Sequence, residues 1–265
     1  MTSATATFPS SLDPSFPGPP SKILQLLELR ALGEFGVSLA LLPLLSRAPS
    51  GDGHSVLVLP GLVASDASTR PLRSYLADRG YDVHGWGLGR NLGLRPGIES
   101  KMKARLREIH RTSGRKVSIV GWSLGGVFAR EIAGAVPDAV RSVITLGSPI
   151  RGNPRSTNAW RIYELASGQS VDDPKLRLPR AAMPPAPTTS IYSRTDGIVA
   201  WQCSVEMPTD NSESIEVMGS HCGLGVNASV WYAVADRLAQ PEGRWQPFAR
   251  SGLRRWVFPD PTRRD

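Results

Sequence analysis

Long hydrophobic runs are missing from this chain of 265 residues. The apolar stretch FGVSLALLPLL is broken by Pro43 and is too short to cross a bilayer. The first twenty residues, MTSATATFPSSLDPSFPGPP, lack the basic start and the apolar run of a secretion signal, and their Pro and Ser content is typical of disorder. A cytoplasmic protein is therefore expected, with peripheral membrane contact left open.

Cysteine and histidine are scarce, with two and four residues. They form no cluster with the spacing of a metal site, and the sequence has no phosphate-binding glycine loop, so neither a metal nor an organic cofactor is expected. The net charge of +8 would suit anionic surfaces, nucleic acid or solubility alone. Because no nucleic-acid-binding motif accompanies that charge, we expect no nucleic-acid partner; the oligomeric state stays open.

Short β-branched runs alternate with helix-like segments from residue 54 onward, and no internal repeat is visible. Six runs are predicted strands: SVLVL (55–59), YDVHGW (81–86), KVSIVG (116–121), SVITLG (142–147), TSIYS (189–193) and SIEVM (214–218). Four segments are predicted helices: 68–80, 99–114, 127–135 and 226–239. This alternation predicts an α/β fold, a mostly parallel sheet with helices on both faces.

Composition divides the chain into five parts. They are residues 1–53, a disordered terminus and an N-terminal helix; 54–150 and 188–241, the two parts of the core; 151–187, a small lid insertion around AWRIYELASG; and 242–265, a basic tail. The N-terminal helix either packs on the core, rests on a membrane surface or forms a dimer contact. The tail is either solvated or touches a membrane surface or nucleic acid.

The segment KVSIVGWSLGGVFAR places Ser123 between Gly121 and Gly125. A strand that reverses sharply into a helix crowds the residues two before and two after the turn, and glycine fits there. The turning residue adopts an uncommon backbone conformation that projects its hydroxyl over the sheet edge, at the N-terminus of the next helix. The pattern predicts a nucleophile elbow; the alternative is a Gly-rich turn with an idle serine.

A serine nucleophile needs a histidine base, and that base needs an acid to orient it. His221 is the predicted base, because MGSHCGLG is a Gly-rich loop after the last predicted strand. Asp196 in SRTDGIV, just past a strand and between the serine and the histidine in chain order, is the predicted acid. The weaker candidates are His54, His84, His110, Asp138, Asp172, Asp173 and Asp210.

The order Ser, Asp, His after a strand, tight turn and helix resembles the α/β-hydrolase superfamily, and within it the bacterial lipases and esterases. The resemblance covers about residues 55–239 and rests on VLVLPGLVAS, GWSLGG, SRTDGIV and GSHCGL. It implies that Ser123 cleaves a small-molecule or lipid ester through an acyl-enzyme. An amidase, a lactonase, an acyltransferase and a non-catalytic binding protein on the same fold stay open.

The resemblance also implies an oxyanion hole formed by the backbone N–H groups of Leu62 and Leu124. Many lipases have a His-Gly pair where this chain has Pro60-Gly61. Proline in place of histidine at position 60 affects the conformation of the loop, whereas the backbone N–H of Leu62 is still present.

Residues of the substrate pocket are the least determined. The loop HGWGLGRNLGLRPG, with Trp86 and Asn91, is either a wall of the site or a structural turn. Further candidates for the pocket are Trp122 and the lid residues Trp160, Ile162, Tyr163 and Leu165, which would suit an acyl chain or pack on the core.

The two cysteines lie close in sequence to the predicted acid and base. Cys203 follows Asp196 by seven positions, and Cys222 is adjacent to His221. Because the acid and base loops must approach each other, a disulfide could pin them together; two free thiols are the alternative.

Overall fold

One parallel sheet forms the centre of the protein. The structure is a computed structural model that describes residues 17–173 and 183–261. Its strands are β1 Ser55–Leu59, β2 Asp82–Gly85, β3 Val117–Trp122, β4 Val140–Leu146, β5 Thr188–Tyr192 and β6 Ser212–Glu216. They lie side by side in the order β2-β1-β3-β4-β5-β6, and every neighbouring pair is parallel. All six predicted strands are confirmed.

Helices cover both faces of the sheet, as predicted. They are α1 Lys22–Leu26, α2 Ala31–Ala40, α3 Leu42–Leu45, α4 Asp66–Asp78, α5 Ile98–Ser113, α6 Leu124–Ala135, α7 Trp160–Ser167, α8 Ala228–Leu238 and α9 Arg254–Val257. The four helices predicted for the core correspond to α4, α5, α6 and α8. Within the ranges 17–173 and 183–261, no helix is both long enough and apolar enough to cross a membrane.

Strand β1 shows how the two faces are filled. Val56 and Val58 pack into an apolar layer with α4 and α8, whereas Leu57 and Leu59 pack into a second layer with α5 and α6. Successive side chains of a strand point to opposite faces, so a strand covered on both faces reads as a continuous apolar run. This is why SVLVL does not alternate with polar residues.

The N-terminal helix predicted from the sequence is divided into α1, α2 and α3. A 3-10 turn, Leu27–Arg30, separates α1 from α2, and α3 begins at Leu42 with Pro43 in its first turn. Proline is tolerated in the first turn of a helix but interrupts a helix interior, so Pro43 favours a new helix start there. Helices α2 and α3 pack against α8.

Several predicted segments extend beyond the described residues. The predicted disorder of the first twenty residues falls mostly on residues 1–16, and the predicted lid includes residues 174–182; both of these ranges lie outside the described part. The rest of the predicted lid contains a 3-10 helix, Pro154–Ser156, and α7. The basic C-terminal segment, described to residue 261, is anchored to α8 through buried Phe248 and Phe258.

Candidate functional site

Ser123 forms the turn between β3 and α6. Its backbone has φ 54° and ψ −123°, a region that residues with a side chain rarely adopt. The Ser123 N–H donates to the Leu146 carbonyl of the neighbouring strand β4 at 2.8 Å. This anchor holds the strained residue at the carboxyl end of the sheet, at the N-terminus of α6.

The two glycines around Ser123 are required by close backbone approaches. A methyl group added at Gly121 would lie 2.3 Å from the carbonyl oxygen of Gly125. At Gly125 it would lie 2.4 Å from the carbonyl oxygen of Leu59. Both distances are far below van der Waals contact and both neighbours are backbone atoms, so no side chain can move aside.

The structure places Ser123, His221 and Asp196 in one hydrogen-bonded series. His221 Nε2 lies 2.9 Å from Ser123 Oγ, and His221 Nδ1 lies 2.7 Å from Asp196 Oδ2. A carboxylate only accepts hydrogen bonds, so Nδ1 carries the proton and Nε2 is left to accept from the serine hydroxyl.

The loop after β5 fixes the carboxylate of Asp196. Its Oδ1 accepts the backbone N–H groups of Ile198 at 2.8 Å and Val199 at 2.7 Å. These bonds leave Oδ2 directed at the imidazole of His221. The carboxylate of Asp196 is therefore held in one orientation.

Opposing influences act on the pKa of His221. Burial lowers this pKa, whereas the charge and hydrogen bond of Asp196, together with the charge of Glu28, raise it; the net result is a pKa above the ordinary value of 6.5. The site therefore favours the imidazolium form more than water does.

An apolar cleft opens at Ser123. The residues that line it are Leu62, Ser123, Leu124, Pro149, Pro154, Thr157, Ala159, Trp160, Tyr163, Val171 and Val199. None of these lining residues is charged. The residues of α7 thus form one wall of the cleft, and the elbow forms its floor.

The two predicted oxyanion amides border this cleft. Leu124 is the first residue of α6, so its N–H has no acceptor within the helix. Leu62 lies in the loop after β1, which passes so close to the elbow that a methyl group added at Gly61 would lie 3.3 Å from Ser123 Cβ. Leu62 and Leu124 therefore line the same cleft as Ser123.

Asn91 holds the loop that carries Leu62. This fully buried side chain donates from Nδ2 to the Pro60 carbonyl at 2.8 Å. The Asn91 backbone accepts the N–H of Val63 at 2.6 Å and donates to the Ala64 carbonyl at 2.8 Å. The sequence placed Asn91 near the site but gave no sign of this role, because its partners lie about thirty residues earlier in the chain.

Two tryptophans predicted to line the pocket do not line it. Trp86 is 1% exposed and packs in the core with α5 and α6, and its indole N–H donates to Gly89. Trp122 donates its indole N–H to the carbonyl of His221 at 3.1 Å and thereby supports the base loop. Trp86 thus takes the structural alternative, and neither indole is among the residues that line the cleft.

Helix α7 divides the four lid candidates between two faces. Trp160 and Tyr163, three positions apart, lie in the cleft wall. Ile162 and Leu165, also three positions apart, are 50% and 88% exposed on the opposite face. The first pair lines the cleft and also packs on the core layer of α5 and α6, which is the second alternative that the sequence left open.

Both cysteines are free thiols, so the structure has the second of the two alternatives rather than the possible disulfide. Cys203 is buried with Val199 and Ala200, where burial raises the pKa of its thiol to about 11. Cys222 is exposed. The loops do approach each other, but the two thiols are not joined.

A second Asp–His–Ser series lies outside the cleft. His54 Nδ1 is 2.5 Å from Asp52 Oδ1, and His54 Nε2 is 2.9 Å from Ser118 Oγ. His54 and Ser118 are both 0% exposed, at the amino ends of β1 and β3. Burial lowers the pKa of His54. A substrate cannot reach this serine, so the arrangement is structural.

Within residues 17–173 and 183–261, no group of three or more His, Cys, Asp or Glu is placed to hold a metal ion.

Comparison with known proteins assigns the fold. No family model and no curated protein matches the sequence. Among solved structures, lipase B of Aspergillus fumigatus is 16% identical with a TM-score of 0.54, covering 71% of this chain and 52% of that chain. This chain thus spans about half the length of that lipase. A Bacillus licheniformis lipase is 17% identical with a TM-score of 0.49, covering 71% of this chain and 92% of that one. The chain has the α/β-hydrolase fold.

Proposed function

We propose that the protein is a serine hydrolase that cleaves carboxylic esters, with Ser123, His221 and Asp196 as its catalytic triad. One observation carries the proposal: the hydrogen-bonded series of 2.7 and 2.9 Å ends on a hydroxyl that faces an uncharged cleft. The buried series at His54 has similar distances but no cleft. Access to Ser123 therefore distinguishes the two.

The geometry supports acyl transfer in two halves. Ser123 Oγ attacks the ester carbonyl while its proton passes to His221 Nε2. The N–H groups of Leu62 and Leu124 hold the oxyanion, an interaction worth roughly 3 kcal/mol per donor. The C–O bond to the alcohol then breaks, and His221 gives its proton to the leaving oxygen. Water, deprotonated by His221, releases the acid and restores Ser123.

The cleft favours an apolar acyl group. Leu62, Trp160, Tyr163 and Val199 supply aliphatic and aromatic surface next to the hydroxyl. No charged group of the lining would recognise a phosphate or a carboxylate. A small-molecule or lipid ester is the substrate class that fits, and the acid chain length is set by the extent of this surface. The described part of segment 151–187 serves as the proposed lid.

The experiment that tests this function combines a fluorophosphonate probe with p-nitrophenyl esters of increasing chain length. We expect one probe per chain, attached to Ser123, and turnover of esters well above that of the matched p-nitroanilides. Labelling without ester turnover would favour an acyltransferase or amidase. Absence of both labelling and turnover in the folded protein would reject a serine hydrolase.

The pH profile is expected to report the environment of His221. The base must be neutral to accept the serine proton, and its pKa is raised above 6.5. The acid limb of kcat/KM should therefore have its midpoint above pH 6.5, with activity rising as pH rises through it. Asp196→Asn removes the carboxylate that raises this pKa, so the variant should be strongly impaired and its limb should move to lower pH. A limb that is unchanged in Asp196→Asn contradicts the assignment of the acid.

A further inference from the structure

The N-terminal helices hold the two loops that carry Asp196 and His221. Glu28, in the turn between α1 and α2, is 8% exposed. Its Oε1 accepts the N–H of Gly197 at 2.8 Å and that of His221 at 2.9 Å. Its Oε2 accepts the N–H of Cys222 at 2.7 Å. One carboxylate thus bridges the residue after the acid, the base itself and the residue after the base.

Neighbouring side chains of the same segment strengthen this attachment. Arg30 donates to the carbonyl of Thr195 at 2.6 Å, and Glu34 accepts the N–H of Ser220 at 2.7 Å. Gly197 lies so close to α1 that an added methyl group would be 2.2 Å from the Leu24 carbonyl oxygen. The backbone of α1 therefore lies directly against the backbone of the loop that carries Asp196.

We propose that Glu28 is a positioning residue that fixes the acid loop to the base loop and places a negative charge beside the imidazolium formed during catalysis. The inference rests on the proposed function. Charged groups that face His221 are Asp196, from the loop after β5, and Glu28, from the N-terminal segment. Both act in the same direction, because each raises the pKa of His221. Hydrogen bonds that N–H groups donate to a carboxylate are charge-assisted and hold the loops firmly.

Glu28→Gln keeps the shape of the side chain but removes its charge and one acceptor. We expect kcat to fall by roughly 10- to 100-fold with KM little changed, since small displacements of catalytic groups have effects of this size. The acid limb of kcat/KM should also move to lower pH. Glu28→Asp retains the charge, so its limb should stay near that of the wild type while kcat falls. Glu108 is an exposed carboxylate on α5, so Glu108→Gln is the matched control. Its kcat and its acid limb should be those of the wild type.

A second readout does not depend on turnover. Titration of the His221 imidazole by NMR should give a lower pKa in Glu28→Gln than in the wild type. If Glu28→Gln does not fold, Glu28→Asp tests the inference. Its kcat should be lower than that of the wild type, while the acid limb of its kcat/KM profile stays at the wild-type pH. A folded Glu28→Gln with wild-type kcat and wild-type His221 pKa overturns the inference. Failure of the proposed function would instead appear as a wild type without labelling or turnover, whatever the NMR titration gives.

The outward side of the same N-terminal segment is apolar. Its exposed apolar side chains are Ile23, Leu26, Leu27, Leu29, Leu32, Val37, Leu39, Leu41, Leu42 and Leu44. Leu32 is 82% exposed and Leu29 is 75% exposed, whereas Glu28 and Ser38 are buried. Phe35 and Leu45 pack on the core, but most leucines of the segment face solvent, unlike those of an ordinary surface helix. Contiguous exposed apolar surface of this kind marks an interaction site.

Charge indicates the partner of this surface. The exposed charged residues of positions 17–49 are Lys22 and Arg47, both positive. The acidic residues of this range, Glu28 and Glu34, face inward to the loops. Apolar surface with cationic side chains at its ends matches an anionic lipid surface, which offers hydrocarbon below and negative charge at the headgroups.

From this arrangement we infer that residues 22–47 bind the surface of an anionic bilayer without crossing it. This inference is independent of the proposed function. Flotation with vesicles of phosphatidylcholine and phosphatidylglycerol should carry the protein upward, and binding should weaken with salt and in pure phosphatidylcholine. A double variant, Leu29→Glu with Leu32→Glu, should lower vesicle partitioning at least about tenfold, because two leucines no longer enter the interface.

Leu165→Glu is the matched control, since Leu165 is 88% exposed but lies outside the segment. It should bind vesicles as the wild type does. Equal binding by the double variant and the wild type overturns the inference. The inference is also overturned if neither protein binds vesicles and light scattering shows that the wild type is a dimer and the double variant a monomer. That result assigns the surface to a second copy of the chain.

Discussion

Ser123→Ala is expected to lower ester hydrolysis by about 10⁴-fold or more while the protein stays folded. The variant removes the nucleophile but leaves the elbow and its hydrogen bond from the backbone N–H to Leu146 in place. His221→Ala should lower the rate by a similar factor, and the double variant should be no worse, because the triad acts as a unit. The measurement is kcat/KM on a p-nitrophenyl ester, with the melting temperature as the test of folding.

The second Asp–His–Ser series provides the control for this prediction. Ser118 contacts His54 Nε2 at 2.9 Å, just as Ser123 contacts His221. Ser118→Ala should retain turnover and fluorophosphonate labelling, while losing roughly 1–3 kcal/mol of stability because a buried imidazole loses a partner. Retained turnover in Ser123→Ala, or loss of turnover without unfolding in Ser118→Ala, would contradict the choice between the two serines.

Gly121→Ala is expected to destabilise the protein by at least about 3 kcal/mol, since a methyl group there can be accommodated only by moving backbone. The added carbon would lie 2.3 Å from the Gly125 carbonyl oxygen and 2.4 Å from Gly126 Cα. Strand β3 and helix α6 would have to separate at the elbow. We expect a lower yield of folded protein and, in what folds, loss of labelling at Ser123. Denaturant unfolding measures the first effect and the fluorophosphonate probe the second.

Gly134→Ala, in the last turn of α6, is the matched substitution. A methyl group there meets nothing within 4 Å, so the change should stabilise the helix by roughly 0.5–1 kcal/mol. The pair separates the steric requirement of the elbow from the general effect of removing a glycine. A Gly121→Ala protein as stable and as reactive as the wild type would mean that the elbow can widen without cost.

The strands and the elbow could be predicted because their causes are local. A parallel strand covered on both faces is apolar at consecutive positions, and SVLVL shows this over its last four residues. The elbow is likewise determined within Gly121–Gly125, where the crowding of a reversing chain admits only glycine at the two flanking positions. Chain order and loop composition then selected His221 and Asp196 from the other histidines and aspartates.

Contacts between distant segments could not be predicted in this way. Glu28 accepts the N–H of His221 across 193 positions of the chain, and nothing around Glu28 in the sequence marks it as different from a surface glutamate. The same holds for Asn91, which binds the Pro60 carbonyl 31 positions away. The choice between a disulfide and two free thiols was open for a related reason, because proximity of two loops does not fix the positions of their thiols; the structure has two free thiols.

By itself the sequence determined the order of strands and helices, the parallel sheet, and the turn that exposes the Ser123 hydroxyl, because these depend on side-chain periodicity and on steric limits over a few residues. Only the tertiary structure decided which Asp–His–Ser series opens to a cleft, since both series have similar distances but only Ser123 lines the cleft. It also decided that the N-terminal segment turns its carboxylates inward and its leucines outward. The loops of Asp196 and His221 present N–H groups that are buried from water and need acceptors, and the carboxylates of Glu28 and Glu34 supply them.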